Sequence, residues 1–157
     1  MRQPELIASS FGVDVADFGA PLPFEGEDEL STLGHQELIL LIEDDFVLRT
    51  ALTELLRTEG YAVECAANGL EGMRRLSRSP KPSLILLDIM LPYMDGLQFR
   101  SAQLDSPTVA DIPVVVISAI GIGRDGERLR FAATFSKPLD TDRLLKTVHR
   151  ICAGTAS

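Results

Sequence analysis

Leu38-Ile39-Leu40-Leu41-Ile42-Glu43-Asp44-Asp45 is an apolar run of strand length that ends in three acids. A run apolar at every position has no face to offer water. It reads as a strand covered on both sides, as in a parallel sheet with helices above and below. The pattern recurs along the chain. Ser83-Leu84-Ile85-Leu86-Leu87-Asp88 again ends in an acid, and Pro113-Val114-Val115-Val116-Ile117-Ser118 ends in a hydroxyl. Tyr61 to Ala66 supplies a second strand, and the short Thr134-Phe135-Ser136 before Lys137-Pro138 a fifth.

The intervening segments read as helices. Leu48, Ala51, Leu52, Leu55 and Leu56 share one helical face, and Gly60 closes it. Asn68 opens a second helix with Leu70, Met73 and Leu76 as its stripe, closed by Pro80 and Pro82. Leu97 to Leu104 forms a third. Residues 121–133, interrupted by glycine, make a poor fourth. Asp140 or Thr141 caps a last helix with Leu144, Leu145, Val148 and Ile151 inside and Gly154 just past its end. Five strands alternating with helices define a doubly wound α/β domain over residues 37–152, with 153–157 as a short tail. In such sheets ligands bind at the carboxyl ends of the strands.

Composition narrows the function. The chain has 157 residues, 45% hydrophobic, with a formal net charge of −8. An acidic chain is a poor general binder of nucleic acid, which wants a basic face. No apolar run approaches the roughly 18–20 residues of a membrane span. A secretory signal is not evident at the start. Cys65 and Cys152, without a CxxC pair, read as reduced thiols, so the expected location is cytoplasmic. The charge is uneven: residues 1–36 hold seven acids and one base, whereas residues 37–157 are nearly neutral. With recurrent Gly and Pro and no steady period, 1–36 reads as a disordered acidic extension.

The strand ends collect Glu43, Asp44, Asp88, Ser118 and Lys137. Three carboxylates at one place repel one another unless a cation neutralises them. A hard divalent ion with oxygen ligands does so most simply, and Mg²⁺ accepts few protein ligands while keeping waters. A lysine and a hydroxyl beside such an ion are the parts of a phosphoryl-transfer site, with a carboxylate as nucleophile. There is no GxxxxGK[ST], GxSxG or HExxH pattern.

These residues resemble the receiver domain of the bacterial response regulators. Leu41-Ile42-Glu43-Asp44-Asp45 is similar to the family's acidic pair after the first strand. Leu87-Asp88-Ile89-Met90-Leu91-Pro92-Tyr93-Met94-Asp95-Gly96 resembles its phosphoacceptor motif. Ser118-Ala119 and Lys137-Pro138 match its later motifs, the Lys-Pro bond being typically cis. The resemblance covers about residues 37–152. It implies a flavodoxin-like sheet of order 2-1-3-4-5 with helices on both faces, and phosphate transfer from a histidine kinase to Asp88. It implies that Glu43, Asp44, Asp88 and the Met90 main-chain carbonyl hold Mg²⁺, and that Ser118 and Lys137 bind the phosphoryl group. The chain would then catalyse only its own phosphorylation and dephosphorylation. It would signal through protein contacts, without binding DNA or membrane directly. A phosphorelay intermediate serving a histidine phosphotransfer protein, or the receiver part of a hybrid kinase, is the alternative. No output domain is expected after the last helix. Phosphatases of the haloacid-dehalogenase type want a second Asp where this chain has Met90.

The chain departs from that family at three points. Thr134 replaces an aromatic three residues before the lysine. The span from Ser118 to Lys137 is short. Met90 and Ile120 put apolar side chains where the family flanks its hydrolytic water, so the acyl phosphate is expected to last minutes or longer. Asp45 is expected to cap the helix that follows it. Tyr93 and Met94 are expected to be exposed, and His35 and His149 to be incidental.

Overall fold

The structure is a computed structural model that describes residues 36–156. The expectation for the acidic extension falls almost wholly outside them, as does His35. Ten elements alternate: β1 (Leu38–Ile42), α1 (Phe46–Thr58), β2 (Ala62–Ala66), α2 (Gly69–Leu76), β3 (Leu84–Asp88), α3 (Gly96–Leu104), β4 (Val114–Ser118), α4 (Gly123–Arg128), β5 (Ala133–Ser136) and α5 (Thr141–Ala156). All strand pairs are parallel, in the order β2-β1-β3-β4-β5.

The two-residue period of a strand sends alternate side chains to opposite faces. Ile39, Leu41, Leu84, Leu86, Val115 and Ile117 therefore join Leu52 and Leu56 of α1 and Leu144 and Val148 of α5 in one core. Leu40, Ile42, Ile85, Leu87, Val114 and Val116 join Leu76 of α2 and Phe99 of α3 in the other. β3 and β4 are buried at every position. That explains why the apolar runs show no alternation.

Side-chain caps set several helix starts. Asp45 accepts from the Val47 and Leu48 amides, as expected, and Asn68 from that of Glu71. Asp95 closes a capping box with Gln98. Asp140 accepts from the Arg143 amide at 3.2 Å. Such caps contribute about 1 kcal/mol each.

Four helical expectations change. Ala51 is exposed, so α1 docks a narrower stripe through Leu52 and Leu56. Leu70 is also exposed. Its place on the buried face of α2 is taken by Gly72, which lies against Ile42 and Phe99 with no room for a Cβ. Gly154 lies inside α5, and residues 153–156 continue the helix instead of forming a tail. One glycine costs about 1 kcal/mol in a helix, a small penalty for a helix already docked by Leu144, Val148 and Cys152. The weak helix over 121–133 contracts to six residues, none of them buried.

Candidate functional site

The strand order reverses its direction of growth between β1 and β3, which opens a crevice at their carboxyl ends. Glu43 and Asp44 follow β1 directly, and Asp88 ends β3. Topology alone thus brings together acids separated by more than forty residues. One oxygen from each of the three carboxylates lies within 4.8 Å of the others. Glu43 and Asp88 are buried, while Asp44 is exposed.

Lys137 reaches this group from the end of β5. Its ammonium donates to Glu43 Oε1 at 2.9 Å and to Asp88 Oδ2 at 3.3 Å. The other oxygens of Glu43 and Asp88 face amides: Asp45 N–H donates to Glu43 Oε2 at 3.1 Å, and Met90 N–H to Asp88 Oδ1 at 3.2 Å. Ser118 is buried at the end of β4. Its hydroxyl oxygen accepts from the Ile120 amide at 3.1 Å, and its carbonyl accepts from the Lys137 amide at 2.9 Å. The bond between Lys137 and Pro138 is cis.

Burial pushes the Glu43 carboxyl above its ordinary value. Lys137 and the Asp45 amide oppose that shift, and the charge of Asp88 adds to it. For Lys137, burial works against the charge, but the bonds and charges of Glu43 and Asp88 outweigh it and raise its pKa. The ammonium therefore stays charged, and Glu43 is the costly ion. One ammonium against three carboxylates leaves an excess of negative charge in a partly dry crevice. Hard oxygen donors, two buried and one open to water, fit a divalent ion that keeps part of its hydration shell.

The phosphoacceptor-like loop is seated from two sides. Gly96 N–H donates to Ile89 O at 2.8 Å, and a Cβ at Gly96 would stand 2.5 Å from Asp88 O. Gly69 N–H donates to Met94 O at 3.1 Å, and a Cβ there would also meet that oxygen at 2.5 Å. Any side chain at either position would displace the loop. Tyr93, at φ 67, is 83% exposed, as expected. Met94 differs from expectation, being half-buried against the α2–α3 core.

Met90 and Ile120 are 57% and 51% exposed. Thr134 is exposed on β5, while its neighbour Phe135 fills the core. His149 is not idle: its ring bonds Tyr61 and Glu59, apart from the carboxylate group. Sequence reading missed Arg49, whose guanidinium Nη1 donates to Glu43 O at 2.6 Å. No spacing rule announces a side chain that reaches a main-chain carbonyl six residues back. Gly69 carried a partial signal, as the residue after the helix-opening Asn68.

An acidic crevice at the switch point of a doubly wound sheet defines the class, and the comparisons supply the family. Residues 39–149 match the response regulator receiver domain family. The chain is 32% identical over 113 residues to the polar-differentiation response regulator DivK of Brucella anthropi, covering 70% of this chain and 91% of that protein. It is 34% identical over 120 residues to protein PilH of Pseudomonas aeruginosa, covering 74% and 98%. A transcriptional regulatory protein CpxR homolog of Haemophilus influenzae is 34% identical over 122 residues, which is 76% of this chain and 52% of that longer protein. Among solved structures, the receiver domain of a signal transduction histidine kinase from Syntrophus aciditrophicus superposes with a TM-score of 0.68 at 30% identity, covering 75% and 91%. The chain belongs to the response regulator receiver family, a signalling domain of two-component systems.

Proposed function

We propose that this receiver takes a phosphoryl group from a phosphohistidine of a histidine kinase, or of a histidine phosphotransfer protein, onto Asp88. The observation that carries the reading is the meeting of Asp88 with Glu43, Asp44 and the Lys137 ammonium in one crevice. A carboxylate oxygen of Asp88 attacks phosphorus, the P–N bond breaks, and the imidazole nitrogen departs with its electron pair. The product is an acyl phosphate. Glu43, Asp44, Asp88 and the Met90 main-chain carbonyl would hold Mg²⁺, which supplies positive charge beside the phosphoryl oxygens. Lys137 neutralises a further oxygen, and the Ser118 hydroxyl donates to another. The reaction is the chain's own modification, and the signal leaves through protein contacts in the cytoplasm. No described helix is long and apolar enough to cross a membrane.

Labelling with a phosphorylated kinase or with acetyl phosphate tests the assignment. Asp88→Asn is expected to abolish label, and an Asn variant that labels like the wild type would overturn it. Met90 and Ile120 stand two residues beyond Asp88 and Ser118, the positions that flank the hydrolytic water in the family, and their apolar side chains cannot orient that water. A half-life of minutes or longer in Mg²⁺ is therefore expected, and one of seconds counts against that part of the reading.

The likeness to a receiver domain of a histidine kinase favours a second reading, in which the phosphoryl group passes on to a histidine phosphotransfer protein. Return of label from Asp88 to such a protein would support it.

A further inference from the structure

Glu43 is where the chain leaves the sheet. Its amide still pairs with Ala66 O at 3.0 Å, but its carbonyl is taken by a side chain, Arg49 of the first turn of α1. Arg49 is itself fixed. Its guanidinium lies 5.6 Å from the Phe46 ring centroid, its amide donates to Asp45 O at 2.9 Å, and its carbonyl accepts from Thr53 Oγ1 at 2.7 Å. The Asp45 amide turns back to Glu43 Oε2, and the Asp45 carboxylate caps α1. The β1–α1 turn is thus closed on both sides of Asp44.

We infer that Arg49 is a positioning residue for the cation site: by holding the Glu43 carbonyl it fixes the turn that aims Glu43 and Asp44 at Asp88. The inference rests on the reading of the site given above. Two effects of Arg49 oppose each other. Its positive charge, on the guanidinium that holds Glu43 O, disfavours a nearby cation, so deleting the charge alone would tighten Mg²⁺ binding. Its hydrogen bond orients two of the three carboxylates, so deleting the bond loosens the turn and weakens binding. Groups that orient metal ligands are worth about 10–100-fold in affinity. That exceeds a partly screened charge effect, and the positioning effect is expected to win.

The test is calorimetric titration of the full chain with MgCl₂. Arg49→Met keeps an unbranched aliphatic stem but removes the charge and the donors. It is expected to bind Mg²⁺ about tenfold more weakly than the wild type. Arg49→Lys keeps the charge and a donor and is expected to fall between. A readout without metal accompanies these: hydrogen exchange in residues 43–46 should rise in Arg49→Met while β3 and β4 stay protected. A general loss of stability would instead raise exchange throughout. Equal or tighter binding by Arg49→Met overturns the assignment. Should that variant fail to fold, Arg49→Lys decides: weaker binding than the wild type supports the role, and equal binding overturns it. If the wild type binds no Mg²⁺, the reading of the site falls and the inference with it. If the wild type binds and the variants match it, the role of Arg49 alone falls.

Discussion

Lys137 keeps its proton against burial because two carboxylates face it, whereas Cys152 and Tyr61 keep theirs because burial penalises their anions. The Cys152 thiol is pushed from 9.0 up to about 11 by burial and then by the charge of Glu37. The Tyr61 phenol is pushed from 10.0 up to about 12 by burial, with Cys152, Glu37 and Glu59 adding to it. Both groups ionise more easily in the unfolded chain, so unfolding releases protons at high pH and stability falls as pH rises. Their contribution is intact below pH 9 and disappears as pH climbs toward 12. Urea unfolding across this range is expected to show that decline. Tyr61→Phe should flatten its upper part and Cys152→Ala its lower part. Unchanged slopes in both variants would disprove the account. At this scale the sequence was most legible where chemistry sits at a strand end. Asp88 and Lys137 stand out because an ion after an apolar run has few structural reasons to be there. His149 does not stand out, because its partners Tyr61 and Glu59 are about ninety residues away in sequence.

Among the helices, α4 is the outlier, since none of its residues is buried and no side chain caps it. What holds the chain after it is Arg100 on α3. That guanidinium is buried and donates to Leu129 O and Arg130 O, both at 2.9 Å, and to Gln103 Oε1 at 2.8 Å. Gln103 in turn donates to Val109 O and Ile112 O, and the Phe131 ring lies against Arg100. Carbonyl dipoles, not a carboxylate, surround the charge in these contacts. Arg130, at φ 52, turns the chain so that its carbonyl can take part. Arg100→Leu would leave the buried Leu129 carbonyl without its donor, at about 1–3 kcal/mol for a buried group left unsatisfied. It is expected to lower stability and to raise hydrogen exchange over residues 123–131, while Asp88 still labels. Unchanged exchange there would contradict the clamp. This network was illegible in advance because hydrophobic periodicity assigns Arg and Gln to the water side of a helix. The same rule misplaced Leu70, where a glycine's close approach, not an apolar stripe, seats the helix.

For the whole molecule, sheet order decides where the acids meet. The apolar runs and the helical stripes between them established five strands with their helices, of which β1, β3 and β4 are the buried ones. Nothing in them said that β3 crosses to the far side of β1, and that order followed from the motifs' likeness to receivers. Once β1 and β3 are neighbours, Glu43, Asp44 and Asp88 must share a crevice, and the fold holds like charges together at a cost to itself. A cation that binds the folded chain offsets that cost by mass action, by about 2.7 kcal/mol at a hundred times its dissociation constant. Mg²⁺ is therefore expected to raise the thermal midpoint, and EDTA to return it. A midpoint indifferent to Mg²⁺ would count against the site.

The exposed Tyr93 has a practical consequence. The chain has no tryptophan and two tyrosines. Tyr61 is buried and bonded to a histidine ring, whereas Tyr93 stands in water on the loop that carries the Met90 amide to Asp88. Ultraviolet-excited emission of the native protein is thus expected to be weighted toward a single ring, on the loop that follows Asp88. If the site binds Mg²⁺ and accepts phosphate as proposed, that emission is expected to change with both, giving a readout that needs no dye.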